Sequence, residues 1–538
     1  MKSSFPEGYV SSKKNDECVI SIDAGTQSIR VSLIDFRGNI IQIVKNEIEP
    51  YYSLNPGWAE QDPEYFWKVL AQTCKKLMSS LAVKKEFILG VTLTTQRNTM
   101  INLDAKGKPL PPAFVWPDRR KAEPVKWPPA YLRIPMKIIG LYDVALYGMM
   151  ESEANWIYQN QRQIWDRTEK FLFLSGYFTY RLCGEYVDST GNQVGFVPFN
   201  YKTQKWGSNL DFKWKIFNVE KSHLPRLVKP SECLGHITKQ ASRETGLPEG
   251  LPLIAAAADK ACEVLGSGCI SPDIACLSYG TQATIETTNK DYVEIIPFLP
   301  SYPSAIPGSY NTEVTVYRGY WMVSWFKHEF CQNEINLARK KTIATEVLLD
   351  KMAGSIPPGS MGLMLQPFWS PGVKVPGPEA KGAIIGFGDV HTKAHMYRAI
   401  LEGLSYALKE GAIRTEKRNK IKIEKIRISG GGSQSRTAMQ LTADIFNMPA
   451  EKPHTYETSA LGAAIDAAVG LKIYGDFKSA LNSMTRIGEV FDPIPKNSKI
   501  YEELFNEVYM KMYKQMKPLY ENIRSITNYP PYLKDIHK

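Results

Sequence analysis

The sequence has no C-x-x-C pair. Its eight cysteines stand at 18, 74, 183, 233, 262, 269, 276 and 331, mostly in apolar surroundings. That leaves no zinc-finger spacing, and the cysteines read as reduced thiols of the interior. No stretch approaches the roughly 18 consecutive apolar residues of a membrane span. Residues 1–16 are polar and lack the apolar core of a secretory signal. These absences predict a cytoplasmic protein with no membrane partner and a loose arm over residues 1–15. Nor is there a basic helix with interleaved aromatics. The net charge is +11, but Lys and Arg are scattered, with only short clusters such as Lys417 to Lys425. Scattered charge serves solubility, so no nucleic-acid partner is expected.

What remains is an ordinary globular composition, 43% hydrophobic and 22% charged, over 538 residues. That length predicts more than one domain, most simply two large ones. The most informative stretch is 19–35. Val19 to Ile22 read as a β-branched strand closed by Asp23. Ala24-Gly25-Thr26-Gln27-Ser28 make a polar turn, Ile29 to Ile34 a second strand, and Ile40 to Val44 a third. A carboxylate at the end of a buried strand, facing a Gly-Thr turn, suits a metal-bound phosphate. Gly25 lets the backbone come close, and Thr26, Gln27 and Ser28 offer donors. Asp23 would hold Mg²⁺, which keeps several of its own waters. A plain hairpin with a polar tip fits the same residues. A second unit of this kind follows far downstream: strand Ile274 to Tyr279, turn Gly280-Thr281-Gln282, strand Ala283 to Thr288. Two matched hairpins are what two related domains gripping one polyphosphate would need.

Between them, Glu64 to Leu81 has the spacing of an amphipathic helix. Ile88 to Leu93 reads as a central strand. The polar cluster 94–99 lies just past its carboxyl end, where open α/β sheets place ligands. Gln96, Arg97, Asn98, Trp116 and Asp118 are types that a hydroxyl-rich ligand wants, since polar groups bind vicinal hydroxyls and an indole face packs on C–H groups. Asp118-Arg119-Arg120 also reads as a surface ion-pair cluster of little worth. Residues 132–184 read as mainly helical, and the aromatic stretches 206–215 and 222–230 as surface. Leu253 to Ala258 form an apolar strand that delivers Asp259, which is either a general base or a helix N-cap. One helix is expected over Asn333 to Met352. Gly430 to Ser435 open a helix over 436–446, with neither a G-x-G-x-x-G nor a Walker pattern. Ala460 to Ala468 form a helix of small residues suited to close packing, and Lys499 to Tyr520 a packing helix.

Taken in order, these segments resemble the FGGY family of carbohydrate kinases, which includes glycerol kinase, xylulokinase and ribulokinase. Asp23 to Arg30 look like the first phosphate turn and Ser278 to Thr281 like the second. Pro56 to Pro63 are similar to a loop common in the family. Gln96-Arg97 and Trp116-Pro117-Asp118-Arg119 match sugar-side segments. Asp259 falls where the family has its base, and Gly430 to Asp444 resemble the adenosine loop and its helix. The resemblance implies an α/β fold of two RNase-H-like domains, as in actin-like ATPases, with an interdomain cleft. The expected division is an arm over 1–15, an N-terminal domain over 16–265, a C-terminal domain over 266–500, and a helix and tail over 501–538. ATP and Mg²⁺ are implied as cofactors, with Asp23 at the metal. Gly25, Thr26, Gln27, Ser28, Arg30, Gly280, Thr281, Gly431, Gly432, Ser433 and Ser435 would lie at the nucleotide. Asp259 would be the catalytic base, and Gln96, Arg97, Asn98, Trp116, Asp118, Asp259 and Lys260 would meet a small sugar or polyol. A homodimer is compatible with the resemblance.

This sequence departs from the glycerol kinases at the acceptor. Asn98 replaces their Glu, Lys260 their Gln, and Thr284 an aromatic. Glu153, three residues before Trp156, replaces a lysine that the family often carries. The expected acceptor is therefore a pentulose or a glycerol-like polyol. Lys260 leaves a sugar acid open, and the fold alone leaves an actin-like or chaperone-like ATPase open.

Overall fold

Seven consecutive residues, Cys18 to Ala24, form a strand buried on both faces, as a β-branched run between two sheet neighbours should. Asp23 lies inside this strand rather than beyond it, paired in register with Arg30 on one side and Thr94 on the other. The computed structural model describes residues 17–125, 127–370, 372 and 376–529. The arm expected over 1–15 and the tail beyond 529 lie outside them.

The chain divides into two units. The first comprises 1–266, 302–310 and 459–485, and the second 267–301, 311–458 and 486–538. Unit boundaries therefore do not follow the chain linearly: 459–485 packs with the first unit although it follows most of the second.

Each unit is built on a mixed sheet. In the first the order is Cys233–His236, Pro252–Ala255, Ile88–Thr95, Cys18–Ala24, Ser28–Asp35, Ile40–Glu47. The middle three strands run parallel, and the others pair antiparallel. The second sheet repeats this plan. Tyr310–Val316, Ala283–Asn289, Ile274–Tyr279, Lys425–Ser429, Ala450–Pro453 and Ile487–Phe491 are neighbours in that order. Ile274–Tyr279 is antiparallel to Ala283–Asn289 and parallel to Lys425–Ser429. The two hairpins singled out in the sequence thus hold the same place in both sheets.

Helix Pro63–Ser79 forms as its spacing predicts. Asp62 caps it by accepting from the Glu64 N–H, and Phe66, Val69, Leu70, Cys74 and Leu77 are buried against the first sheet. Three expectations need correction. The single helix over 333–352 is broken: Gln332–Lys341 ends at Thr342, which is left-handed at φ 52°, and Thr345–Gly354 starts afresh. No glycine or proline marks that break. The helical region 132–184 is interrupted by strand Lys170–Phe173, which is drawn into a sheet by Met100–Leu103. The aromatic stretch after 205 is not simply surface, because Trp206 and Trp214 pack against a buried cluster with Phe199, Trp165 and Phe171. Seven of the eight cysteines are buried, and Cys233 is exposed. No helix among the described residues is long and apolar enough to cross a membrane.

Helix Thr458–Gly470 shows why small residues recur there. Ala460, Ala463, Ala464, Ala467 and Ala468 are fully buried. A Cβ on Gly462 would lie 1.9 Å from the Cys262 carbonyl oxygen, in the helix that begins at Asp259. The Ala460 carbonyl accepts from Ser21 Oγ at 2.9 Å. Gly462→Ala must therefore push two backbones apart. A loss of about 1–3 kcal/mol is expected in urea unfolding, accompanied by reduced turnover.

Candidate active site

Asp259 opens the helix Asp259–Gly266, directly after the apolar run from strand Pro252–Ala255. Its backbone is held from two directions. The Ala258 N–H donates to the Gly191 carbonyl at 3.1 Å, and Ser459 Oγ donates to the Asp259 carbonyl at 3.1 Å. The loop bearing Gly191 is fixed by Asp188. This buried carboxylate accepts from Ser175 Oγ, the Ser189 N–H, Asn192 Nδ2 and Gln193 Nε2 at 2.7–2.9 Å. The Asp259 side chain is half-buried and accepts from the Lys260 N–H at 2.8 Å. Burial raises its pKa above the usual carboxylate value, while the charges of Arg97 and Lys260 oppose that shift. Arg97 lies over the Tyr302 ring, 5.0 Å from its centroid. Asp259, Arg97 and Lys260 are thus brought together. The ammonium of Lys260 is engaged by the buried Glu263 at 2.9 Å, within the same helix.

Asn98, Trp116 and Asp118 line a cavity of about 140 Å³ with Phe114, Arg120, Glu153 and Trp156. Of Asp118-Arg119-Arg120 only Arg119 lies exposed at the surface. The Arg120 guanidinium is buried between Asp118 and Glu60, each at 2.6 Å, and sits 3.8–4.6 Å from the ring centres of Phe114, Trp58 and Trp156. The oxygens of Asp118 are already met by Arg120 and by the Ala59 N–H at 2.7 Å, so its carboxylate chiefly shapes the wall. Trp116 Nε1 donates to Thr26 Oγ1 at 3.0 Å, which ties this cavity to the first Gly-Thr turn. Gln96 is 4% exposed, and neither end of its amide has a protein partner among the described residues. Glu153, noted in the sequence only as a departure, faces this cavity. Its pairing with Asn98, 55 residues away, is not a local signal.

The turns differ from expectation in detail. The Gly25 N–H donates to the Ser28 carbonyl at 3.1 Å and closes its own turn. Asp23 is 5% exposed, with Arg30 at 3.4 Å. No three His, Cys, Asp or Glu converge as a metal cage among the described residues. A single buried carboxylate still suits Mg²⁺, which is held by few protein ligands beside phosphate oxygens and water. In the second unit, the Gly280 and Thr281 carbonyls accept from the N–H groups of Tyr320 and Trp321, at 3.0 and 3.3 Å. Tyr320 stacks on Tyr279, and a Cβ on Gly432 would lie 2.4 Å from the Tyr320 ring. The glycine loop therefore rests flat against this aromatic pair. Gly431 faces open space. Ser433 Oγ donates to the Gly430 carbonyl at 2.7 Å, and Ser435 caps the helix Arg436–Phe446 while bonding to Asp350. A cavity of about 370 Å³ lies against that helix, lined in part by Arg436, Thr437, Gln440 and Asp444.

Models of the FGGY family of carbohydrate kinases match residues 18–266 as its N-terminal domain and 275–471 as its C-terminal domain. The chain belongs to the FGGY family. The uncharacterized sugar kinase YgcE of Escherichia coli K12 is 30% identical over 500 residues, 92% of this chain and 93% of that one. A xylulose kinase of Staphylococcus epidermidis is 30% identical over 525 residues, 95% and 99% of the two chains. The structure of ligand-bound xylulose kinase from Lactobacillus acidophilus superposes with a TM-score of 0.77 at 22% identity, over 96% of this chain and 99% of that one, a likeness of fold. This FGGY member is thus a two-domain α/β phosphotransferase with an alcohol acceptor, an ATP-dependent sugar or polyol kinase. An ATPase with a purely conformational output is set aside. In this FGGY chain the wall of the smaller cavity depends on Arg120. Arg120→Met would strand Glu60 and Asp118 as unpaired buried acids. Chemical denaturation is expected to show a loss of about 3–5 kcal/mol.

Proposed function

We propose that the chain transfers the γ-phosphoryl group of ATP to a hydroxyl of a neutral pentulose or glycerol-like polyol, with Asp259 as general base. The observation that carries this reading is the carboxyl of Asp259, held rigidly at a helix start, half-buried, and facing the charge of Arg97. The acceptor side lies in the domain over 16–265. The second phosphate turn, Gly280–Thr281, and the adenosine loop, Gly431, Gly432, Ser433 and Ser435, lie in the domain over 266–500. Gln96, Arg97, Asn98 and Trp116 position the acceptor. Asp259 takes the proton of its hydroxyl as that oxygen bonds to the γ-phosphorus, and the bond from that phosphorus to the ADP oxygen breaks. Asp23 would hold Mg²⁺, whose charge offsets that of the phosphates. Thr26, Gln27 and Ser28 supply donors beside it, with Gly25 and Arg30 shaping the turn.

A sugar acid fits less well. The ammonium of Lys260 is paired with Glu263, and the cations at or beside the cavity wall, Arg120 and Lys121, are already bound to acids.

Asp259→Asn should lower kcat by roughly 10²- to 10⁴-fold with the KM for ATP little changed, measured by ADP release. Retained turnover would exclude the base role. Because the Asp259 pKa is raised, its carboxylate form is lost on acidification sooner than that of an ordinary carboxylate. The acid limb of kcat/KM for the acceptor should accordingly lie above the usual carboxylate range and disappear in the Asn variant.

A further inference from the structure

Glu153 is the first residue of helix Glu153–Asn160, capped by Ser152, whose side chain accepts from the Asn155 N–H. Its Oε1 accepts from Asn98 Nδ2 at 3.0 Å. Asn98 stands beyond strand Ile88–Thr95 in the left-handed conformation, φ 50°, which Asn tolerates better than most residues. Its Oδ1 is buried without a protein partner among the described residues. Three other polar side chains at or beside the cavity wall are committed. Arg120 binds Asp118 and Glu60, Lys121 binds Glu151, and Trp116 donates to Thr26.

We propose that Glu153 and Asn98 together are the specificity-determining pair for the acceptor, hydrogen-bonding the hydroxyls of an uncharged ketose or polyol; this rests on the kinase reading above. The pair is a carboxyl and an amide in contact, and such a pair can both give and accept hydrogen bonds. The charged groups around Glu153 are Glu151 and Asp118, each with its own cation, Lys121 and Arg120. Tyr147 also lines the cavity. Burial, with Glu151 and Asp118 adding to it, pushes the Glu153 carboxyl up to about 8, although hydrogen bonds from its own backbone and from Asn98 pull the other way. At neutral pH Glu153 therefore keeps its proton and can donate to an acceptor oxygen. Above about pH 8 it can only accept, and it becomes one more negative charge in that wall.

The test uses the full-length enzyme with xylulose, ribulose and glycerol as neutral probes and gluconate as the acid. Wild-type KM for the neutral acceptor should be flat near neutrality and climb as pH passes about 8, with the KM for ATP unmoved. Glu153→Gln, which keeps a neutral group that both donates and accepts, should retain the low KM and lose the climb. Glu153→Ala should raise acceptor KM roughly tenfold or more, with a smaller effect on kcat. Equal alkaline climbs in wild type and Glu153→Gln would overturn the proposal. So would an acceptor KM in Glu153→Ala within about twofold of wild type, or wild-type preference for gluconate. Failure of wild type to release ADP with any of the four probes would instead strike the acceptor reading itself, and this proposal with it.

Discussion

A buried carboxylate costs several kcal/mol unless a cation or donors meet it, and the acids of the first unit meet that cost in different ways. Asp188 is surrounded by four donors and serves the backbone. Asp118 is matched by the Arg120 fork and shapes a wall. Asp259 has one backbone donor and the nearby charge of Arg97. Glu153 has an amide and its own backbone N–H. The fewer the protein groups satisfying an acid, the more of its chemistry is left for a ligand. That gradient separates scaffold from site among residues of one chemical type.

The same economy shows in the glycines. Gly25 leaves room for a Cβ, and its N–H closes its own turn, so its freedom is not demanded by the geometry of that hairpin. Gly432 has no such room, because the Tyr320 ring and the Tyr279 Cβ lie against it. The stacked tyrosines join the second Gly-Thr turn to the glycine loop, since Tyr279 ends the strand before the turn and the Tyr320 N–H bonds to the Gly280 carbonyl. Two segments far apart in sequence thereby form one rigid surface within the second unit.

The hairpins were legible because β-branched runs interrupted by Gly-Thr leave few alternatives to strand, turn and strand. Helix 63–79 was legible because its apolar spacing and its Asp-Pro start agree. The break at Thr342 was not, because it arises where two helices take separate neighbours, without a glycine or proline to announce it. At Asp259, the apolar run drew attention to the acid but left a base and a helix N-cap equally open, and only the family resemblance favoured the base. The burial of Arg120 was hidden, since Asp-Arg-Arg reads as a surface cluster until Trp58, Phe114 and Trp156 are seen around it. Glu153 was visible only as a residue out of family pattern. Its meaning came from Asn98, which sequence distance had separated from it.

The return of residues 459–485 to the first unit has a consequence for biosynthesis. The segment that buttresses the strand bearing Ser21 and the carbonyl of Asp259 is the last of that unit to be translated. At about 5–20 residues per second, roughly 10–40 s separate residue 266 from residue 485. For that interval the nascent first unit exposes the backbone face against which Gly462 will later sit. The ribosome must therefore deliver most of the second unit before the last segment of the first can take its place.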